Sequence, residues 1–279
     1  MTPDPEYVSP SVGRPEATRV VFDDLVRAHR QIAPHILATP LIRSWSLTET
    51  CGVDVYLKLE HHQITGSFKV RGATNAVLNL TSAERGRGVV AATTGNHGRA
   101  VAYAARSVGS HATICMSDRV PGNKVTEIRR LGATVVIGGE SQDEAYAEAE
   151  RLAVHDGLVM IPPFDHPDVV AGQGTLGLEI MDALPEVGTV VVPLSGGGLS
   201  AGVGLAVRGN KSTAKLVGVS LDRGAAMKES LEAQKPVEVT EVPSLGDSLG
   251  GGIGLQNKYT FDMCRSMLDE GHCQVVEIR

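Results

Sequence analysis

The sequence has little of what marks nucleic-acid-binding, membrane or secreted proteins. Its 279 residues carry a formal net charge of −6, whereas a nucleic-acid binder normally has a basic patch. No apolar run reaches the ~20 residues of a membrane-spanning helix, and no basic segment followed by an apolar one marks a secretion signal. With 42% hydrophobic and 21% charged residues, the chain is expected to be a globular cytoplasmic protein that binds neither nucleic acid nor membrane.

Cysteine and aromatic residues are also few. The four cysteines, Cys51, Cys115, Cys264 and Cys273, have no close metal-type spacing, so they are expected to be free thiols in a reducing compartment. Aromatic residues make up 4% of the chain, so Phe68 is expected to pack against its neighbours whether or not it has a functional role. Four prolines fall in residues 1–17, which are expected to form a disordered leader.

The most informative segment centres on Lys69. It reads SFKVRGA over residues 67–73 and follows a strand-like run at 55–59 and a Thr-Gly turn at 65–66. Lysine forms imines with carbonyl compounds, and partial burial lowers its pKa and frees the amine near neutral pH. Most lysines are exposed surface charges, so this segment alone leaves the role of Lys69 open.

Two later loops suit an anion. The first, TTGNHG at 93–98, lies between a strand candidate and an Ala-rich helical run, where free backbone N–H groups and the helix dipole favour a carboxylate or phosphate. A capped helix start explains this loop equally well, since Thr and Asn are favoured N-caps. The second, SGGGLS at 195–200, favours a phosphate-binding loop over a structural turn, because glycines let the backbone approach an anion closely. It does not match the spacing of a dinucleotide-binding fingerprint.

Strand and helix candidates alternate along the chain, which predicts mostly parallel sheets covered by helices, with ligands at the carboxyl ends of the strands. The helix candidates are residues 22–33, 68–80, 99–108, 124–131, 142–155, 173–184 and 201–207. The strand candidates are residues 53–59, 88–93, 111–115, 134–137, 189–194 and 215–220.

Taken in order, these segments resemble the fold-type II pyridoxal phosphate (PLP) enzymes. The likeness spans residues 20–278, includes AGQGT at 171–175, and is strongest to threonine/serine dehydratases and serine racemases. The segment DSLGGGIGL at 247–255 is similar to hydroxyectoine utilization dehydratases. The resemblance implies a two-lobed α/β fold like the tryptophan synthase β-subunit. The implied lobes are residues 18–79 plus 166–279 for the PLP-binding lobe and 80–165 for a small mobile lobe.

The resemblance also implies residue roles. Lys69 would bind PLP and then remove the Cα proton of the substrate. Apart from the resemblance, Arg71 is expected to support the cofactor lobe through a surface or interdomain contact rather than to touch the substrate. His97 would contribute its backbone more than its imidazole. The implied cofactor-binding residues are Phe68, Lys69, Asn96, Ser195, Gly196, Gly197, Gly198 and Leu199, and the implied substrate-binding residues are Thr93, Thr94, Gly95, Asn96 and His97.

The implied reaction removes water and ammonia from a β-hydroxy α-amino acid and yields a 2-oxo acid. Serine racemisation is the alternative, because racemases place a proton-donating serine at the position of Thr94. The methyl group of threonine restricts χ1, so we rank racemisation below elimination. β-Replacement of the cysteine synthase type ranks third. A non-catalytic protein or an inactive fragment of this fold remains a further alternative. Serine, threonine, hydroxyaspartate and 2,4-diamino-3-hydroxybutyrate all carry the required leaving group, and the family implies a homodimer.

Three departures from the family stand out. The chain ends at Arg279 within a strand-like segment, before the family's Ser-Gly-Gly-Asn-like segment, so no residue is assigned to the pyridine nitrogen. Ser220 stands where metal-activated members have Glu, with Gly224 and Ala226 at the other expected positions. Since hard cations prefer carboxylate oxygens, no metal is predicted there. No regulatory domain like that of some threonine dehydratases is expected, and neither is control by isoleucine.

Overall fold

The computed structural model describes residues 19–93 and 95–278, without the side chain of Asp247. The predicted leader and Thr94 therefore lie outside the described residues. The helices are α1 (Phe22–Ile32), α2 (Trp45–Cys51), α3 (Lys69–Asn79), α4 (Ser82–Arg87), α5 (Asn96–Ser107), α6 (Gly122–Arg130), α7 (Gln142–His155), α8 (Pro167–Ala183), α9 (Gly198–Gly209), α10 (Ala226–Ala233) and α11 (Thr260–Asp269). The strands are β1 (Leu41–Arg43), β2 (Tyr56–Lys58), β3 (Val89–Ala92), β4 (Ala112–Met116), β5 (Thr134–Ile137), β6 (Val159–Met160), β7 (Thr189–Pro193), β8 (Lys215–Leu221) and β9 (Cys273–Ile278).

The strands form three sheets, two of which are parallel. β1 and β2 pair as an antiparallel hairpin, β5-β4-β3-β6 form a four-stranded parallel sheet, and β7-β8-β9 form a three-stranded parallel sheet. β3 and β4 are buried along their whole length, whereas β7 alternates exposed and buried residues. The whole four-stranded sheet falls within residues 80–165. That this range moves as a separate small lobe stays a prediction.

The predicted elements are confirmed in type, with corrections at their ends. α8 begins at Pro167 rather than 173, because His166 caps it by accepting from the Asp168 N–H and proline suits the first turn. α5 begins at Asn96 rather than 99. The strand predicted at 53–59 shortens to β2, because only three residues pair with β1.

α8 packs closely against a helix on each side. An added Cβ at Gly172 would lie 2.6 Å from the Arg71 carbonyl oxygen on α3, and one at Gly202 on α9 would lie 2.6 Å from the Gly174 nitrogen on α8. These contacts require glycine, because a Cβ does not fit at such distances. α8 therefore holds α3 and α9 at backbone contact distance. None of the described helices has both the length and the apolar character to cross a membrane.

Arg71 lies at the centre of a buried ion-pair network, which corrects the surface contact of the two predicted alternatives, whereas an interdomain contact stays a prediction. The side chain is 0% exposed and uses all five guanidinium donors. Two bonds reach Glu60 (2.8 and 2.9 Å), two reach Glu179 (2.6 and 2.9 Å) and one reaches the Thr175 hydroxyl (3.2 Å). Lys58 of β2 donates to Glu179 at 2.5 Å. The network thus joins the hairpin, α3 and α8.

The charges in this network support one another. Burial alone would lower the pKa of Arg71, but the hydrogen bonds and charges of Glu60 and Glu179 outweigh it and raise that pKa. Burial would likewise raise the pKa of Glu179, but Arg71 and Lys58 lower it. Arg71 and Glu179 are therefore ionised at neutral pH, and removing one partner leaves uncompensated buried charge.

Replacing Arg71 should strongly destabilise the protein. Arg71→Met leaves the Glu60 and Glu179 carboxylates, whose side chains are each only 12% exposed, without their shared partner, so we expect the free energy of unfolding to fall by about 3–5 kcal/mol. Arg130→Met is the matched control, because Arg130 pairs with Glu127 on the exposed surface of α6 and such pairs contribute about 1 kcal/mol or less. Urea denaturation measures both. Equal losses in the two variants would contradict a special role for the network.

Candidate active site

A cleft of about 1130 Å³ brings together most of the residues singled out in the sequence. Its lining includes Phe68, Lys69, Thr93, Asn96, His97, Ser195, Gly196, Gly197, Gly198 and Leu199. Gly95 lines a neighbouring cavity of about 360 Å³, which shares Asn96 with the cleft. Thr94 lies outside the described residues. The loops after β3 and β7 thus meet the first turn of α3 at one place, as expected for carboxyl ends of parallel strands.

Lys69 is the first residue of α3 and its amine lies in the cleft. Nζ donates a hydrogen bond to the Pro163 carbonyl oxygen at 2.8 Å and lies 5.5 Å from the centroid of the Phe68 ring. Burial lowers the pKa of Lys69 to about 8, because a charged amine is poorly solvated there. A substantial neutral fraction is therefore present near pH 8, as a nucleophile or general base requires.

The glycine loop presents free backbone donors at the start of α9. Gly197 adopts the left-handed region with φ 85°, and α9 begins at the next residue. Among the described residues, no hydrogen bond is donated by the backbone N–H groups of residues 196–199. These groups and the positive end of the α9 dipole can bind an anion such as a phosphate. Ser195 links the loop to residue 250, because its hydroxyl donates to the Gly250 carbonyl at 3.3 Å.

The structure gives a further reason for glycine in this loop. An added Cβ at Gly196 would lie 2.2 Å from Phe164 Cδ1, and one at Gly197 would lie 2.7 Å from Met227 Cε. The glycines are therefore required by packing against protein atoms as well as by the approach of an anion. The Phe164 side chain packs against the glycine loop at Gly196.

His97 is buried and neutral. Its Nε2 donates to the Ile161 carbonyl at 2.8 Å, and burial, followed by the positive charge of Lys69, lowers its pKa to about 3. Nδ1 has no hydrogen-bond partner among the described residues. The imidazole thus packs, as expected, and presents only an acceptor.

The loop after β3 is stabilised by its own side chains. The Thr93 hydroxyl accepts from the Gly95 N–H at 3.1 Å, and the Asn96 side-chain oxygen accepts from Arg99. Thr93 is therefore occupied within the loop, whereas the Asn96 amide nitrogen has no partner among the described residues. A direct contact of Thr93 with substrate stays a prediction.

Sequence reasoning gave no role to the segment 162–165, which the structure places beside the site. Pro163 accepts from Lys69, and Phe164 packs under Gly196. The Asp165 carboxylate accepts the backbone N–H groups of residues 258–260 at 2.7–3.0 Å and so caps the start of α11. The Pro163 contact is made by a backbone carbonyl, which leaves no signal in the sequence.

Within residues 19–93 and 95–278, no three His, Cys, Asp or Glu side chains cluster in a way that could hold a metal ion. At the position predicted to lack a metal ligand, the Ser220 hydroxyl donates to the Leu194 carbonyl at 3.1 Å. The absence of a bound metal in the protein stays a prediction.

The lowered pKa of Lys69 can be measured directly. An acylating reagent modifies only neutral amines, so the initial rate of Lys69 labelling should rise with pH around a midpoint near 8, compared with about 10.4 for a lysine in a model peptide. Labelling is followed by mass spectrometry of the protein without added ligand. A midpoint close to the model-peptide value would show that burial does not activate the amine.

Gly196→Ala should disturb the loop through Phe164. The added methyl group overlaps the ring, and overpacking of this kind costs about 1–3 kcal/mol. Gly188→Ala serves as control, because no atom lies within 4 Å of the Cβ position there. Thermal unfolding compares the two variants with the wild type. A Gly196→Ala protein as stable as Gly188→Ala would show that Phe164 yields freely.

The cleft has the donors that PLP needs. Lys69 offers an amine with a lowered pKa, and the start of α9 offers free N–H groups for a phosphate. Asn96, which lies between them in the sequence as in the family, lines the cleft and offers an amide donor. These residues fit the cofactor that the resemblance implies.

Comparisons with known proteins agree with the assignment of PLP as the cofactor. The pyridoxal-phosphate dependent enzyme family model matches residues 32–277. The "Putative threonine dehydratase" of Sinorhizobium fredii is 60% identical over 91% of this chain and 77% of its own length. The L-threonine ammonia-lyase of Thermotoga maritima is 41% identical over 90% of this chain and 62% of its own length.

Similar solved structures support the same fold assignment. Maize serine racemase aligns with a TM-score of 0.86 at 29% identity, over 93% of this chain and 78% of its own. Threonine deaminase isoform 2 of Solanum lycopersicum aligns with a TM-score of 0.83 at 34% identity, over 98% and 76% of the two chains. The chain thus belongs to the pyridoxal-phosphate-dependent enzymes of fold type II, in their dehydratase and ammonia-lyase group, with pyridoxal phosphate as its cofactor.

Proposed function

We propose that this protein eliminates water and ammonia from a β-hydroxy α-amino acid and releases a 2-oxo acid. The observation that carries the proposal is the position of the Lys69 amine. It has a pKa of about 8 and lies in the same cleft as the free N–H groups at the start of α9. The identity to a threonine dehydratase and to an L-threonine ammonia-lyase supports the reaction type.

Each residue has a defined part in this proposal. Lys69 and residues 195–199 would hold PLP, and the bound cofactor supplies an electron sink for the Cα carbanion. Neutral Lys69 accepts the Cα proton, and its pKa of about 8 keeps it available as a base near neutral pH. The loop at 93–97, including Thr94, would bind the substrate carboxylate. His97 stays neutral there, so it adds no charge.

Serine racemisation is the second candidate. It is supported by the alignment with maize serine racemase. Racemisation requires a second proton donor on the face opposite Lys69, and Thr94 is the proposed group. The two reactions share the first proton removal, so they differ only in whether the β-hydroxyl leaves before Cα is reprotonated.

Two features support a substrate with a second amino group, such as 2,4-diamino-3-hydroxybutyrate from hydroxyectoine breakdown. The segment 247–255 carries the similarity to hydroxyectoine utilization dehydratases, and its residues 248–255 line the cleft. The Glu241 carboxylate lines it as well, and its Oε1 lies 3.1 Å from the Cβ position of Gly250. A carboxylate at this place would attract a second ammonium group and would offer nothing to the methyl group of threonine.

We expect the purified protein with PLP to release a 2-oxo acid from at least one of L-threonine, L-serine, 3-hydroxyaspartate and 2,4-diamino-3-hydroxybutyrate. Lys69→Ala should abolish the release, because it removes the amine proposed to bind PLP and to accept the Cα proton. Glu241→Gln should lower kcat/KM for the diamino substrate about 2- to 5-fold, the effect of losing one partly exposed ion pair, and leave L-threonine unaffected. Oxo-acid formation and chiral analysis of remaining serine are the measurements.

The outcomes separate the candidates. D-serine without oxo acid would favour racemisation, and equal effects of Glu241→Gln on both substrates would remove the argument for a diamino compound. No product from any substrate, with PLP bound, would contradict the proposed activity.

We also propose that the protein is a cytoplasmic homodimer, as the family resemblance implies. Light scattering that gives a mass twice that of the chain would support the dimer, and a mass equal to the chain would contradict it.

A further inference from the structure

A side-chain hydrogen bond joins Asn96 and Arg99 at the edge of the cleft. Asn96 is the first residue of α5 and Arg99 lies one turn further on the same face. The Arg99 Nη2 donates to Asn96 Oδ1. We propose that Arg99 is a positioning residue, which holds the Asn96 amide with its NH2 group turned towards the ligand.

The direction of this bond follows from the chemistry of the two groups. A guanidinium has five N–H donors and no acceptor, whereas an amide has both. The amide can therefore meet Arg99 only through its oxygen. Its nitrogen then points away from Arg99 and has no partner among the described residues, although Asn96 lines both the cleft and the neighbouring cavity. The site thus offers a donor and selects an acceptor oxygen.

Arg99 is placed to keep this arrangement. Its side chain is half-buried and lines the smaller cavity beside Asn96. Its Nη1 lies 4.0 Å from the Cβ position of Gly66, in the loop that leads to Lys69. Arg99 therefore lies between α5 and the segment before α3, beside the loop that leads to Lys69.

The positive charge adds to the effect. The charged Arg99 guanidinium donates to Asn96 Oδ1 and so polarises the amide. Neighbouring hydrogen bonds strengthen one another in this way in a medium of low dielectric constant. The Asn96 N–H then becomes a better donor to an anionic oxygen than to a neutral one. This inference rests on the proposed function and on the implied role of Asn96 in binding PLP, and it takes the ring hydroxyl of PLP as the acceptor oxygen.

The test measures PLP binding instead of turnover. Protein freed of cofactor is titrated with PLP, and the dissociation constant and the absorption maximum of the bound form are recorded. Arg99→Met should raise the dissociation constant about 3- to 10-fold, the effect of weakening one hydrogen bond, and shift the absorption maximum. Arg99→Lys, which also only donates, should restore most of the wild-type behaviour. Arg106→Met, at the exposed end of α5, removes the same charge away from the cleft and should have no effect.

A double-mutant cycle with Asn96→Ala isolates the coupling. If Arg99 acts through the amide, Arg99→Met should change PLP binding little once Asn96 is alanine. Equal effects of Arg99→Met in both backgrounds, or an equal effect of Arg106→Met, would overturn the inference. A wild-type protein that binds no PLP would instead contradict the proposed function, so the two failures are distinguishable.

Discussion

The buried bonds of Arg71 set the geometry on which the site depends. Arg71 follows Lys69 by two residues on α3, and its guanidinium is held by carboxylates from the hairpin side and from α8. Since all five donors are used, rotation of α3 about its axis would break several charged bonds at once. The position of the Lys69 amine is thereby fixed by a group that itself does not reach the cleft.

A second constraint comes from the segment 163–165, whose three residues act on three different parts of the site. One contacts the Lys69 amine, one supports the glycine loop and one caps α11. Displacement of this segment would therefore affect the base and the anion site together. The two binding features of the cleft are coupled through neighbouring residues of a single short loop.

The sequence revealed the parts of the site that depend on local chemistry. Lys69, the loop at 93–98 and the glycines at 196–198 could be predicted, because a strand followed by small polar residues and a helix has a recognisable pattern. The bonds of Arg71 could not, since Glu179 lies 108 positions away in the chain and nothing local marks the pair. α8 begins six residues before the predicted start, because His166 caps it and histidine is not among the side chains that usually mark a helix start.

α8 has a consequence for how the protein can change over evolution. The glycine contacts on its two sides fix the spacing between α3, which carries the amine, and α9, which carries the anion loop. A cofactor of fixed length must match that spacing at both ends. α8 therefore sets the distance between the amine on α3 and the anion loop on α9. A single methyl group added on either side of α8 would change that distance, and the cofactor would no longer fit at both ends. We expect small residues to persist along this helix through any change of substrate.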